Sequence, residues 1–332
     1  MQAFISKIMA MLVAVLSFMG LFTPSESDKP VDTSNGGDPF MVKYENEYYY
    51  TFTTGGGVDI IKINSPTDTT QIEKKTVFWC GESGTVADIW APEIHKIGNR
   101  WYIISCAVFD KNVVKQGAMP FRDKYEQNND YYRYAFVLES DTEDIFGSYT
   151  FKGILAPDGL NNIDGTYLQK DGKLYYVCSA YRDFGNQAIH IAEMENPYTL
   201  KQGASVQLSE PEFLWERHGW PVNEGPAVLY KDGKTYIVYS ASGFSSNHYC
   251  MGMLTLKGDD VMDADSWCKS LTPVSNHKPL RGIYNAGHCS FLYEDNGEIF
   301  MVYHANQTRK FSDSPRLTYV KKMEFDKKGP VF

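Results

Sequence analysis

The sequence predicts an all-β chain, a five-bladed β-propeller, and three observations carry that expectation. The apolar segments are short and rich in Tyr, Phe, Trp, Ile and Val, residues that suit a pleated, half-buried surface. With 23 Tyr and 19 Phe in 332 residues, they supply a large aromatic core. One layout recurs five times: a polar or small residue, an apolar strand, a turn with Gly or Asn, and a second aromatic strand. The copies begin 53 to 73 residues apart, the size of a four-stranded blade with loop insertions.

Residues 1–29 stand outside this pattern. Lys7 precedes an apolar run from Ile8 to Phe22, and a polar, Pro-containing segment follows, the layout of a secretory signal with a short linker. The run is shorter than the ~20 residues of a comfortable membrane span, and no Cys follows it that could carry a lipid. Residues 30–332 are therefore expected to form a single propeller catalytic domain, secreted (extracellular or periplasmic), with no membrane association once the signal is removed.

The repeated units are "DPFMVKYENEYYYTFTT" from Asp38, "APEIHKIGNRWYIISCA" from Ala91, "DGTYLQKDGKLYYVCSA" from Asp164, "EGPAVLYKDGKTYIVYSA" from Glu224 and "HCSFLYEDNGEIFMVYHA" from His288. Each reads as a β-hairpin, because "YENE", "IGNR", "KDGK" and "EDNGE" carry residues that tolerate the positive φ of tight turns. The insertion from Phe109 to Phe136 reads as a long loop that either covers one end of a pocket or is a surface excursion. Six scattered cysteines lack a zinc spacing, and their pairing stays open. A net charge of −9 argues against nucleic acid and for a neutral or cationic ligand.

Stacking the copies aligns Asp38, Asp164, Glu224 and His288, within one residue, at the start of the repeated hairpin in four blades. The first strand of each blade lines the propeller axis, so these ionisable groups are expected in one pocket. The second copy has Ala91 there, preceded by Asp88 and Trp90. Any single carboxylate of this kind could be a turn cap; the shared register favours a common site.

The motifs "GGDPF", "DIWAPEIH", "IDGTYL", "VNEGPAVLY" and "YNAGHCSF", in this order, resemble glycoside hydrolase family 43 from about residue 36 to the C-terminus. The resemblance implies a five-bladed propeller that hydrolyses arabinans, xylans and related side chains with inversion. It implies Asp38 as general base, Glu224 as general acid and Asp164 as the residue that tunes and orients the acid. Among members, the chain looks most similar to exo-α-L-arabinofuranosidases acting on plant cell-wall polysaccharide or oligosaccharide. β-Xylosidase, endo-arabinanase and a non-catalytic glycan-binding propeller are the alternatives.

The chemistry is consistent with the residues themselves. An inverting glycosidase needs a protonated carboxyl group at the leaving oxygen and a carboxylate to activate water, about 6.5–9.5 Å apart. Glu224 lies among Trp220, Pro221, Val222 and Pro226, where poor solvation keeps a proton on the acid. Trp90 is the first candidate to stack on the sugar, with Trp220 and Tyr284 next. Tyr167 and Asn223 flank the modulator and the acid and are expected to bind hydroxyls. Glu93 is a sugar ligand or a buried strand partner, and Arg316 is expected to reach the site. The family's histidine implies that His288 lies on the axis, binding substrate or holding a structural calcium ion through water. No redox or organic cofactor is expected to be required.

Overall fold

A computed structural model describes residues 29–34, 36–110, 112, 132–183, 186–275, 278 and 281–332. The proposed signal segment and most of the Phe109–Phe136 insertion lie outside the described residues. Blade 1 is built from β1 (Phe40–Tyr44), β2 (Glu47–Thr51), β3 (Gly57–Ser65) and β4 (Asp68–Trp79). Blade 2 contains β5 (Thr85–Ile97), β6 (Arg100–Phe109), β7 (Arg133–Ser140) and β8 (Tyr149–Leu155). In blade 3, β9 (Asn162–Lys170), β10 (Lys173–Asp183), β11 (Asn186–Asn196) and β12 (Thr199–Leu200) pair in order, and β13 (Val206–Ser209) also pairs with β11. Blade 4 is formed by β14 (Asn223–Lys231), β15 (Lys234–Ala241), β16 (Cys250–Leu256) and β17 (Trp267–Lys269). Blade 5 has β18 (Tyr284–Tyr293), β19 (Ile299–Asn306) and β20 (Leu317–Lys322). A last hairpin follows, β21 (Glu324–Asp326) and β22 (Gly329–Val331).

The turn chemistry accounts for the hairpins. Glu45–Asn46, Asp171–Gly172 and Asp232–Gly233 all have positive φ at both central positions, the backbone that matches the twist of the flanking strands. Each blade buries its apolar residues against its neighbours, giving five inter-blade cores. Between blades 1 and 2, for example, Trp101, Tyr134 and Phe136 pack with Val58, Ile60 and Phe78. The ring closes where residues 31–32 add to β20 as a fourth strand of blade 5, with Asp32 bridging to Thr318 and Val31 N–H donating to the Thr318 carbonyl at 2.8 Å. The described cysteines are all unpaired.

Candidate active site

The inner strands share a local distortion that sets the site. In blades 2 to 5 the ladder skips at an equivalent place, so two residues of the inner strand face one of its neighbour: 91–92, 164–165, 225–226 and 288–289. In blade 1 Thr53 N–H donates to the Gly37 carbonyl at 2.9 Å, closing the ladder across Asp38 and Pro39 in the same way. The first bulged residue is left-handed in every blade, with φ of 59° at Asp38, 46° at Ala91, 55° at Asp164, 53° at Gly225 and 45° at His288. A bulge of this kind bends the strand and re-aims its side chain. Four of these five residues are not glycine, and left-handed backbone at such residues costs of order 1–3 kcal/mol each.

This register refines the stacking of the sequence copies. The blade-4 counterpart of Asp38, Asp164 and His288 is Gly225. Glu224 sits one residue earlier, at the position of Gly37, Trp90, Ile163 and Gly287 in the other blades. The two glycines there make room for neighbours. A Cβ on Gly37 would lie 2.2 Å from Arg316 Cζ, and one on Gly287 would lie 2.1 Å from Tyr249 Cε1.

The structure brings Asp38, Asp164, Glu224, His288 and Arg316 together. His288 Nδ1 lies 3.2 Å from Asp38 Oδ1 and 3.9 Å from Asp164 Oδ2. Arg316 Nη1 is 3.2 Å from Asp38 Oδ1, and Thr53 Oγ1 donates to Asp38 Oδ2 at 2.6 Å. Thr53 Oγ1 also accepts the Ala91 N–H at 2.8 Å, which ties blade 1 to blade 2. The Gly225 N–H donates to Asp164 Oδ2 at 3.0 Å. Glu224 accepts from Tyr249 Oη at 2.8 Å and from Gln187 Nε2 at 3.2 Å.

The carboxyl groups are polarised in opposite directions. Burial alone would raise Asp38, but the charges of Arg316 and His288 outweigh it and hold the group well below the usual carboxylate range. Burial pushes Glu224 up, and the neighbouring charge of Asp164 adds to the rise against the Tyr249 hydrogen bond. Asp164 is also raised by burial; His288 pulls against this and the charge of Asp38 adds to it. Burial disfavours a charged His288, yet Asp38 and Asp164 overcome it and lift the ring to about 9.

Four residues at the site escaped sequence reasoning: Thr53, Gln187, Tyr249 and His304. The backbone N–H of Asp38 donates to His304 Nδ1 at 3.1 Å. A backbone N–H can only donate, so this nitrogen is an acceptor and the imidazole proton sits on Nε2. Burial and then the charge of Arg316 keep His304 well below the usual histidine range. Its ring stacks on Tyr249 at 5.7 Å and 5°, so one imidazole touches both the Asp38 backbone and the tyrosine that holds Glu224. A titratable residue inside the apolar strand "IFMVYHA" was the available signal. Thr53, Gln187 and Tyr249 had none, because they come from strand ends and loops without periodicity.

Two expected hydroxyl-binding residues lie elsewhere. The Tyr167 hydroxyl donates to the Pro197 carbonyl, and its ring meets His95 edge-on at 5.1 Å. Asn223 is fully buried; its Oδ1 accepts from Ser209 Oγ at 2.7 Å and its Nδ2 donates to Glu216 Oε1 at 3.0 Å. Their polar atoms are spent inside the protein, which corrects the expectation for both. Glu93 is buried, pairs across the ladder with Ile104, and bonds His95 two residues along its own strand at 2.8 Å. Tyr167, Glu93 and His95 line a cavity of about 550 Å³ further along the inner strands. Trp90 is half-buried, and one face of its ring carries the guanidinium of Arg133 at 3.7 Å.

His288 Nδ1 is directed at Asp38 and Asp164 rather than at an open position, so a cation here would be met through water rather than by that nitrogen. Among the described residues no three His, Cys, Asp or Glu side chains converge on a metal position.

A five-bladed propeller with buried carboxyl groups gathered at one end of its axis defines a class of carbohydrate-active proteins. Residues 27–331 match the model for glycosyl hydrolases family 43, and the chain belongs to that family. It is 31% identical over 329 residues to an extracellular exo-α-(1→5)-L-arabinofuranosidase of Streptomyces avermitilis, covering 93% of this chain and 64% of that protein. The enzyme of the same description from Streptomyces chartreusis is 31% identical over 84% of this chain and 82% of its own length. The crystal structure of an α-L-arabinofuranosidase from Lactobacillus brevis superposes with a TM-score of 0.78 at 30% identity, covering 90% of this chain and 94% of that one. The chain thus spans less than two thirds of the length of the Streptomyces avermitilis relative, 64%.

Proposed function

We propose that this protein is a secreted, inverting exo-α-L-arabinofuranosidase that releases terminal L-arabinofuranose from arabinan or arabinose-decorated plant polysaccharides. The observation that carries the reading is the opposite polarisation of two carboxyl groups in one cluster. Asp38 is held ionised by two cations, while Glu224 keeps its proton through burial and the charge of Asp164. Perturbations of this kind assign base and acid. The relatives named for arabinofuranosidase activity, two of them described as extracellular, support the substrate and the secretion.

In this mechanism a water molecule lies between Asp38 and the anomeric carbon. Asp38 takes a proton from the water as its oxygen attacks, and the glycosidic C–O bond breaks on the opposite face. The proton of Glu224 passes to the departing oxygen. Asp38 ends protonated and Glu224 ionised, and exchange with solvent restores both. Asp164 keeps the acid's proton in place, and Thr53, Arg316 and His288 fix the orientation of the base. No resident cofactor takes part in these steps.

A hydrolysis screen with aryl α-L-arabinofuranoside, aryl β-D-xyloside and debranched arabinan, with chain-length analysis of the products, tests the reading. Arabinose released from chain ends is the expected result. Cleavage of the xyloside alone, or release of mixed oligomers, contradicts it.

A further inference from the structure

Arg133 opens β7 on the pocket side of blade 2. Its guanidinium lies flat over Trp90, 3.7 Å from the ring centroid. Nη2 meets Asp88 Oδ2 at 3.2 Å, a carboxylate that is itself 46% exposed at the rim. Nη1 is buried and has no hydrogen-bond partner among the described residues. A guanidinium cannot shed its proton to escape this, and a buried charged donor left unmade is costly. Such a group calls for a partner that arrives from outside.

The surroundings set Arg133 beside the carboxyl cluster. Trp90 occupies the same position in its blade as Glu224 does in blade 4, next to the bulge residue Ala91, whose N–H is one hydroxyl away from the Asp38 carboxylate through Thr53. On the other side, the Tyr181 hydroxyl feels the charges of Glu224, Arg133 and Asp164. Arg133 and Trp90 thus form the wall between the base of blade 1 and the carboxyl group of blade 3, away from the Arg316 and His288 side. An aromatic ring on one face of the guanidinium fixes its plane and leaves its edge as the reading group.

We propose that Arg133 is a specificity-determining residue whose Nη1 donates to one hydroxyl oxygen of the sugar held between Asp38 and Glu224, with Trp90 as its rigid backing. The inference rests on the glycosidase reading above and adds the residue that reads the sugar's hydroxyl pattern. It also changes the part assigned to Trp90, which orients the arginine with the ring face that the arginine covers.

The test compares wild type, Arg133→Lys and Arg133→Met on an aryl α-L-arabinofuranoside and on its 2-deoxy, 3-deoxy and 5-deoxy analogues. On the parent glycoside Arg133→Met should lose about 10- to 100-fold in kcat/KM, the scale of one hydrogen bond to a charged donor, with a smaller loss for Arg133→Lys. The loss should vanish on one deoxy analogue and persist on the other two. An equal loss on all four glycosides would mark Arg133 as merely structural, and no loss on the parent would remove its role; either result overturns the proposal. Wild-type turnover of the parent reports separately on the proposed function. Calorimetric binding of L-arabinose and its deoxy forms to Glu224→Ala protein, with and without Arg133→Met, reads the same contact without turnover.

Discussion

At the scale of single residues, the roles proposed for Asp38 and Glu224 depend differently on the leaving group. Asp38→Ala should abolish hydrolysis of every substrate, since no water is activated whatever departs. Glu224→Ala should cost about 10²- to 10⁴-fold on natural glycosides and far less on an aryl glycoside whose phenolate leaves unaided. Parallel kinetics on the two substrates check this, and equal losses would remove Glu224 as the acid. Asp164→Asn removes a negative charge beside Glu224, so the acid ionises more easily and the alkaline limb of the pH–rate profile should move to lower pH. Glu224 also links stability to pH. Its folded pKa lies above the unfolded value of 4.5. Between the two values the unfolded chain has lost this proton and the native state retains it, so stability falls as pH rises through that window. Glu224→Gln should therefore melt higher than wild type at pH 7, by roughly 2 °C per kcal/mol recovered, and match it at pH 4. The main carboxyl groups were legible in the sequence because a repeated register exposes a residue type that recurs out of place. Asn223 was misplaced because successive side chains on a strand take opposite faces, and Tyr167 because it lies three residues along the strand from Asp164, where its hydroxyl bonds the Pro197 carbonyl.

At the scale of elements, the bulge that opens each inner strand is the device that presents the site. It was not legible. An extra residue in a period-two pattern looks like a copy aligned "within one residue", which is how Glu224 came to be stacked on Asp38. The hairpins and their turns were legible, because Asp-Gly, Glu-Asn and Gly-Asn turns answer to local backbone preference alone. The bulges make a paired prediction. Ala91 has φ 46° without glycine's freedom, so Ala91→Gly relieves a left-handed strain of about 1–2 kcal/mol against an entropic cost of about 0.5–1 kcal/mol. A small net stabilisation is expected. Gly225→Ala keeps φ at 53° and places a Cβ 3.1 Å from the His288 ring, so it should destabilise by about 1–3 kcal/mol. Denaturant midpoints of the two variants read the contrast, and a destabilising Ala91→Gly would mean that the bulge is not strained.

At the scale of the whole molecule, five blades were legible from the spacing of the copies, while the closure of the ring was not. The closing strand is two residues of irregular sequence, Val31 and Asp32, with no hairpin pattern of their own. Removing residues 29–34 should bare the edge of β20, lower the melting temperature and promote association through the exposed edge; an unchanged melting temperature would show that the closure adds nothing. The ring matters to the proposed chemistry because it sets blades 1 and 4 on different sides of one axis, with the proposed base on one and the proposed acid on the other. That arrangement makes the stereochemistry of the first product the most direct measurement. Proton NMR of an aryl α-L-arabinofuranoside, followed from the first turnovers, should show β-L-arabinofuranose appearing before the α anomer; α-L-arabinofuranose appearing first would mean retention, and would contradict a mechanism in which Asp38 activates water directly.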